Sequence, residues 1–208
     1  MLDQNIAKAL LEVKAVTLSP TQPYTWASGL KSPIYCDNRL TMSYPAVRKM
    51  IAQGFADTIA NLYPEVDYIV GTATAGIPQA CWVSDLMNLP MAYVRPEPKA
   101  HGRSQQIEGF IPKGAKVVVI EDLISTGGSS IKAVEALVKE GIEVLAVMAV
   151  FTYELEKAIS NFEAHKIDLV CLSNYSTLIQ VAKEQDYITH ADIELLQSWR
   201  ENPSEFGK

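Results

Sequence analysis

The sequence predicts an α/β domain in which a largely parallel sheet is covered by helices on both faces. Short apolar runs without polar alternation mark strands that are buried on both sides, and segments of helical period fall between them. A length of 208 residues suits one domain of this class, large enough to hold its own core.

Each element has its own reason. Residues 3–15 place Ile6, Leu10 and Val13 on one helical face, and the pattern ends before Pro20. Residues 20–42 are aromatic, irregular and punctuated by proline, which predicts short strands and turns in a small subdomain. Ser43 is placed to cap a helix carrying Val47, Met50, Ile51, Phe55, Ile59 and Leu62, with Pro64 just beyond its end. Strands and helices then alternate. Val66–Val70 reads as a strand, Ile77–Met87 as a helix and Met91–Val94 as a strand. Lys116–Ile120 is a strand, Ile131–Lys139 a helix closed by Gly141, and Val144–Phe151 and Leu169–Leu172 are further strands. Thr189 opens a capping pattern, THAD, ahead of a last helix bearing Ile193, Leu196 and Trp199.

Composition narrows the function classes. The chain carries a net charge of −6 and no run rich in lysine or arginine, so neither a nucleic acid nor a membrane surface is expected as a partner. Cys36, Cys81 and Cys171 are far apart with no CxxC pair, which predicts reduced, mostly buried thiols. The longest apolar run, Val144–Phe151, falls far short of the roughly 20 residues that span a bilayer. Asp3, Lys8, Glu12 and Lys14 interrupt the first residues, so no signal-peptide core is expected. The expectation is a soluble, cytoplasmic protein.

Ligands of parallel sheets gather at the carboxyl ends of the strands, so the loops after Val70, Val94 and Ile120 draw attention. After Ile120 the chain reads EDLISTGGSS. Ser125, Thr126, Gly127, Gly128 and Ser129 can present successive backbone amides at a helix start, where the helix dipole adds to the pull on an anion. No lysine follows the glycines, which excludes a nucleotide-triphosphate loop of the GxxxxGK type. Glu121 and Asp122 stand directly before that anion cradle. A sugar phosphate reconciles the two: its phosphate would take the turn, and its vicinal hydroxyls would donate to the carboxylates. Carboxylates there also favour positive charge growing on a sugar ring as a C1 substituent leaves.

The loop after Val70, GTATAGIPQA, is rich in small residues and leaves amides exposed, which suits a second anion. The third loop, RPEPKAHGRSQQIEG over residues 95–109, is long and irregular in the manner of a lid. It brings Arg95, Lys99, His101 and Arg103 together. His165 and His190 read as solvated residues on polar helical surfaces, and Trp82 and Trp199 as packing residues.

VVVIEDLISTGGS resembles the signature of the type I phosphoribosyltransferases, which use phosphoribosyl pyrophosphate (PRPP). The lid resembles the R-x-x-x-K-x-H-G loop of the orotate phosphoribosyltransferases, and YTWASGLKSPIYCDNR, residues 24–39, resembles their F-T-x-x-S-G-x-x-S-P-x-Y segment over the base. The resemblance spans most of the chain and is weakest after residue 155. It implies the type I phosphoribosyltransferase fold, one domain over residues 1–208. The hood would come from about 1–42 and part of the C-terminal region, and the core from about 43–172.

For the site, the resemblance implies that Leu123, Ile124 and the 125–129 turn bind PRPP together with Glu121 and Asp122. The loop around Thr74 and Ala75 would take the pyrophosphate, with a backbone outlier near Ala73–Thr74. Arg95, Lys99 and His101 would neutralise the leaving group from a lid that closes over the partner subunit of a homodimer. Lys99, His101, Glu121 and Asp122 would be the catalytic residues. Lys31, the Tyr35 region and Ser125 would contact orotate. Mg²⁺ would be bound through PRPP and not by the protein directly. Ala75, Pro96, Ala27 and Tyr153 depart from residues that relatives carry, lysine at the first three and arginine at the last. Two other readings fit parts of the same pattern: transfer to another base, or a PRPP-binding regulator that has lost catalysis. The hood and lid speak against the first, and the acidic charge and intact lid cations against the second.

Overall fold

The computed structural model describes residues 1–26, 29–97 and 106–206. Lys99 and His101, and with them Arg103 and Ala27, lie outside those residues.

The central sheet has six strands in the order β10-β9-β8-β5-β6-β7. These are β5 (Tyr68–Thr72), β6 (Met91–Val94), β7 (Ile107–Glu108), β8 (Lys116–Ile124), β9 (Glu143–Thr152) and β10 (Asp168–Asn174). Every pairing is parallel except that of β6 with β7. The segment 95–109 therefore does not stay irregular throughout. Its far end folds back as an antiparallel edge strand, with Tyr93 opposite Glu108 and Val94 opposite Ile107.

Burial on both faces explains the unbroken apolar runs of the strands. Val118 and Ile120 of β8 pack with α1 (Leu2–Glu12), α2 (Pro45–Leu62) and α3 (Gly76–Met87). Val117 and Val119 face the other way, onto α4 (Gly128–Lys139) and α5 (Glu156–His165). Two further helices, α6 (Tyr175–Glu184) and α7 (His190–Glu201), add Leu178, Leu196 and Trp199 to the first layer. Thr189 opens α7 as expected, its backbone N–H and its Oγ1 each donating to Asp192 Oδ2 at 2.8 Å.

Several boundaries differ from expectation for local reasons. Ser43 does not cap α2. It closes a 3-10 turn, Asn38–Ser43, while Tyr44 is the cap residue and Pro45 takes the first helical position. The first helix ends at Glu12 because Lys14 turns left-handed at φ 57°. Cys81 is exposed and Cys36 and Cys171 are half-buried, so the expected burial of the thiols fails at Cys81; all three are free. The exposed side of α3 carries it away from the core.

Residues 16–36 form two small antiparallel ladders, β1 (Val16–Leu18) with β4 (Ile34–Cys36) and β2 (Tyr24–Thr25) with β3 (Lys31–Ser32). The C-terminal helix anchors them. Trp26 stacks on Tyr153 at 5.3 Å and meets the edge of the fully buried Trp199 at 5.8 Å. Among the described residues no helix is long and apolar enough to cross a membrane.

Candidate active site

Strands β5 and β8 are neighbours at the middle of the sheet, and the chain winds outward from them in opposite directions, to β6 and to β9. Such a switch point opens a crevice at the carboxyl ends of the two strands. The turns β8–α4 and β5–α3 form its walls.

The strand β8 does not stop at Ile120. Its pairing with β9 continues through Glu121 opposite Ala149, Leu123 opposite Phe151 and Ile124 opposite Thr152. Glu121, Asp122, Leu123 and Ile124 are thus strand residues and not part of a loop. The acids end the apolar run in the sequence, but the neighbouring strand keeps the backbone extended past them. Gly127 then takes a left-handed conformation at φ 78°, and α4 begins at Gly128, earlier than the expected Ile131. No side chain caps that helix, so the amides at its start are left to an outside acceptor. Ser125 is half-buried, and Thr126, Gly128 and Ser129 are exposed. Helix α5 supports the turn from below. Asn161 donates to the Thr126 carbonyl at 2.8 Å, and a Cβ on Gly127 would come within 2.6 Å of the Phe162 ring.

The two acids are unequal. Glu121 is 7% exposed; Ser130 Oγ donates to its Oε2 at 3.3 Å and the Asp122 N–H to its Oε1 at 3.0 Å. Burial, with the charge of Asp122 second, pushes its carboxyl up to about 8. Asp122 is half-buried and is also raised by burial, but its hydrogen bond with the Glu121 side chain and the charge of Arg39 oppose the rise. Burial thus raises both neighbouring carboxyls, and Glu121 is the more deeply buried of the two. Asp122 faces the hood, where its charge acts on Cys36, Arg39 and Tyr153.

The opposite wall is built by close backbone contact. The peptide between Ala73 and Thr74 is cis, at the place where an outlier was expected. Thr74 is exposed and Ala75, half-buried, precedes α3. Gly76 lies so near β8 that a Cβ there would fall 2.3 Å from the Ile120 carbonyl and 2.6 Å from Thr72 Oγ1. Thr72 is buried and donates to the same carbonyl at 3.2 Å.

The other residues singled out by the sequence lie on several different elements. Arg95 directly follows β6, where its backbone amide bonds to the Gln106 carbonyl at 2.9 Å and its guanidinium approaches Glu108 at 3.5 Å. Lys31 is exposed and donates to Thr25 Oγ1 at 2.7 Å. Tyr35 is exposed beside Tyr24, with ring centroids 5.7 Å apart. His165 and His190 are exposed, while Trp199 is buried and Trp82 packs half-buried under Arg48. Among the described residues no group of three His, Cys, Asp or Glu side chains converges on a metal position. The sequence reading missed Asn38, Thr72 and Ser130, which hold the end of β8 and its acids. Each lies within a segment the sequence marks out, but the partner it bonds is remote in the chain or hidden by the fold.

Residues 41–185 match the phosphoribosyl transferase domain family. An orotate phosphoribosyltransferase of Enterococcus faecalis is 58% identical over 205 residues, covering 99% of this chain and 98% of that one. The solved orotate phosphoribosyltransferase of Aeropyrum pernix superposes with a TM-score of 0.76 at 27% identity, over 88% of this chain and 99% of that one. The Leishmania donovani UMP synthase structure gives a TM-score of 0.80 at 28% identity, over 95% of this chain and 42% of that longer one.

Proposed function

The chain belongs to the orotate phosphoribosyltransferase family, and from that premise we propose that it transfers the phosphoribosyl group of PRPP to orotate. The products are orotidine 5′-monophosphate and pyrophosphate. A bond forms between an orotate ring nitrogen and C1 of the ribose, and the bond from C1 to the pyrophosphate oxygen breaks. The observation that carries this reading is the adjacent pair Glu121 and Asp122 near the end of β8, shortly before the uncapped start of α4, at the switch point of the sheet.

In this reading each residue has a role. The amides from Ser125 to Ser129 bind the 5′-phosphate, assisted by the dipole of α4. Asp122, supported by Glu121, accepts the ribose hydroxyls and favours the positive charge that grows on the ring as C1 loses its substituent. The turn at Thr74 and Ala75 receives the pyrophosphate. Arg95, at the base of the lid, with Lys99 and His101 neutralises the leaving charge and keeps water out. Lys31, Tyr35 and Ser125 contact the base.

Mg²⁺ is the expected metal. It would arrive on the substrate's phosphate oxygens, as Mg²⁺ often does. Bound in that way it would offset negative charge on the pyrophosphate. A homodimer in which each lid serves its partner, in the cytoplasm, completes the reading.

Incubating the purified protein with PRPP, Mg²⁺ and a panel of bases tests it. Consumption of orotate alone is expected, and consumption of a purine in its place, or of no base, overturns it. Sharing of the site is tested by mixing a Lys99→Ala protein with an Asp122→Ala protein. Activity should recover as subunits exchange, because mixed dimers regain one intact site.

A further inference from the structure

Strand β8 loses one of its two neighbours at the acids. Its ladder with β5 ends at the pair Gly71 and Ile120, while its ladder with β9 runs on to Ile124. In an extended chain alternate carbonyls point to the same edge, so those of Ile120 and Asp122 both turn toward the side of β5. Neither finds a strand there. Ile120 O accepts from Thr72 Oγ1 at 3.2 Å, and Asp122 O accepts from Asn38 Nδ2 at 2.6 Å. Two side chains continue the missing edge.

Asn38 comes from the hood. It follows β4 and opens the 3-10 turn, in which Asp37 accepts from the Arg39 N–H and Thr41 Oγ1 donates to the Asn38 carbonyl at 2.6 Å. Gln79 of α3 reaches Thr41 Oγ1 at 3.5 Å. Asn38 is 1% exposed and Gln79 2%. Among the described residues neither Asn38 Oδ1 nor Gln79 Oε1 has a hydrogen-bond partner. A buried acceptor without a donor is unfavourable, and an apolar side chain would avoid that cost. The distinctive thing this amide supplies is the N–H it gives to Asp122.

We propose that Asn38 is a positioning residue for Asp122, fixing the backbone of that acid to the hood where the sheet no longer holds it. The link spans 84 positions of sequence, and its consequence is that the hood and the acid keep one geometry. The proposal rests on the reading of Asp122 as the acid that faces the ribose.

A double-mutant cycle on the full-length enzyme tests it, using Asn38→Ala, Asp122→Ala and the pair, with kcat/KM for PRPP measured at saturating orotate. Removing a donor from a buried acceptor predicts a loss of about tenfold for Asn38→Ala, with KM for orotate little changed. In the Asp122→Ala background the same change should cost almost nothing, because the group being positioned is gone. A further loss of about tenfold in that background would assign Asn38 an independent role and overturn the proposal. Wild-type kinetics for Asn38→Ala beside a crippled Asp122→Ala would also overturn it. A harmless Asp122→Ala would instead sink the role given to the acid, and the positioning role with it. Should Asn38→Ala not fold, Asn38→Ser keeps a hydroxyl donor at that place, and the same cycle is read with a smaller expected loss.

Discussion

The two turns that face each other across the crevice are held by different means. The β5–α3 turn is a matter of fit: Gly71 and Gly76 bring two backbones together, and Thr72 bonds across to β8. It carries no charged side chain between Gly71 and Ile77. The β8–α4 turn is a matter of charge and open amides, with Glu121 and Asp122 before the uncapped start of α4. One wall has no room for an added atom at Gly76, while the other is open at Gly128 and crowded only where Gly127 leans on α5. Shape and chemistry have been divided between neighbouring strands.

Gly76→Val should have the largest effect. Its Cβ would meet the Ile120 carbonyl at 2.3 Å, and denaturant unfolding should show a loss of about 3 kcal/mol or more. A stable Gly76→Val protein would mean that the fit is loose. Next is Asp122→Asn, expected to lower kcat about 100-fold in a steady-state assay, with little change in the melting temperature. Glu121→Gln should cost clearly less, since the buried partner already favours its protonated form. Equal losses at both positions would erase the difference drawn between the acids.

Gly127→Ala combines a left-handed backbone with a Cβ 2.6 Å from Phe162, so unfolding should register about 2 kcal/mol. Gly128→Ala, with nothing within 4 Å of its Cβ, should change stability by less than about 0.5 kcal/mol and sharpens the contrast within a single turn.

The smallest effect is the pH dependence of the ligand-free protein. The folded state holds a proton on Glu121 that the unfolded chain releases near the ordinary carboxylate value. This group therefore favours folding least at high pH: stability should fall as pH rises from about 4.5 towards about 8. Glu121→Gln should flatten that slope in urea titrations run across the range. A slope unchanged by the substitution would show that the carboxyl is not proton-bound.

How much of this could be read along the chain differs by residue. Glu121, Asp122 and the glycines after them are contiguous, and the chemistry of their turn depends on that local order. The layers, the parallel sheet and the last helix with its Thr189 cap were legible for the same reason: period and capping are short-range signals. The end of β8 was not. The sequence turns polar at Glu121, yet β9 supplies ladder bonds as far as Ile124. The antiparallel β7 was equally hidden, because a strand of only Ile107 and Glu108 has no period to detect.

Fold class, glycine-rich turn, acid pair and family were all legible along the chain, since each is written in residues that lie next to one another. The burial that raises both carboxyls came from folding, because desolvation depends on what packs over each of them. The tertiary structure alone decided that Gly76 admits no side chain, and that an amide from Asn38 secures Asp122. Those outcomes belong to distances between segments remote in the chain, and a linear pattern carries no record of them.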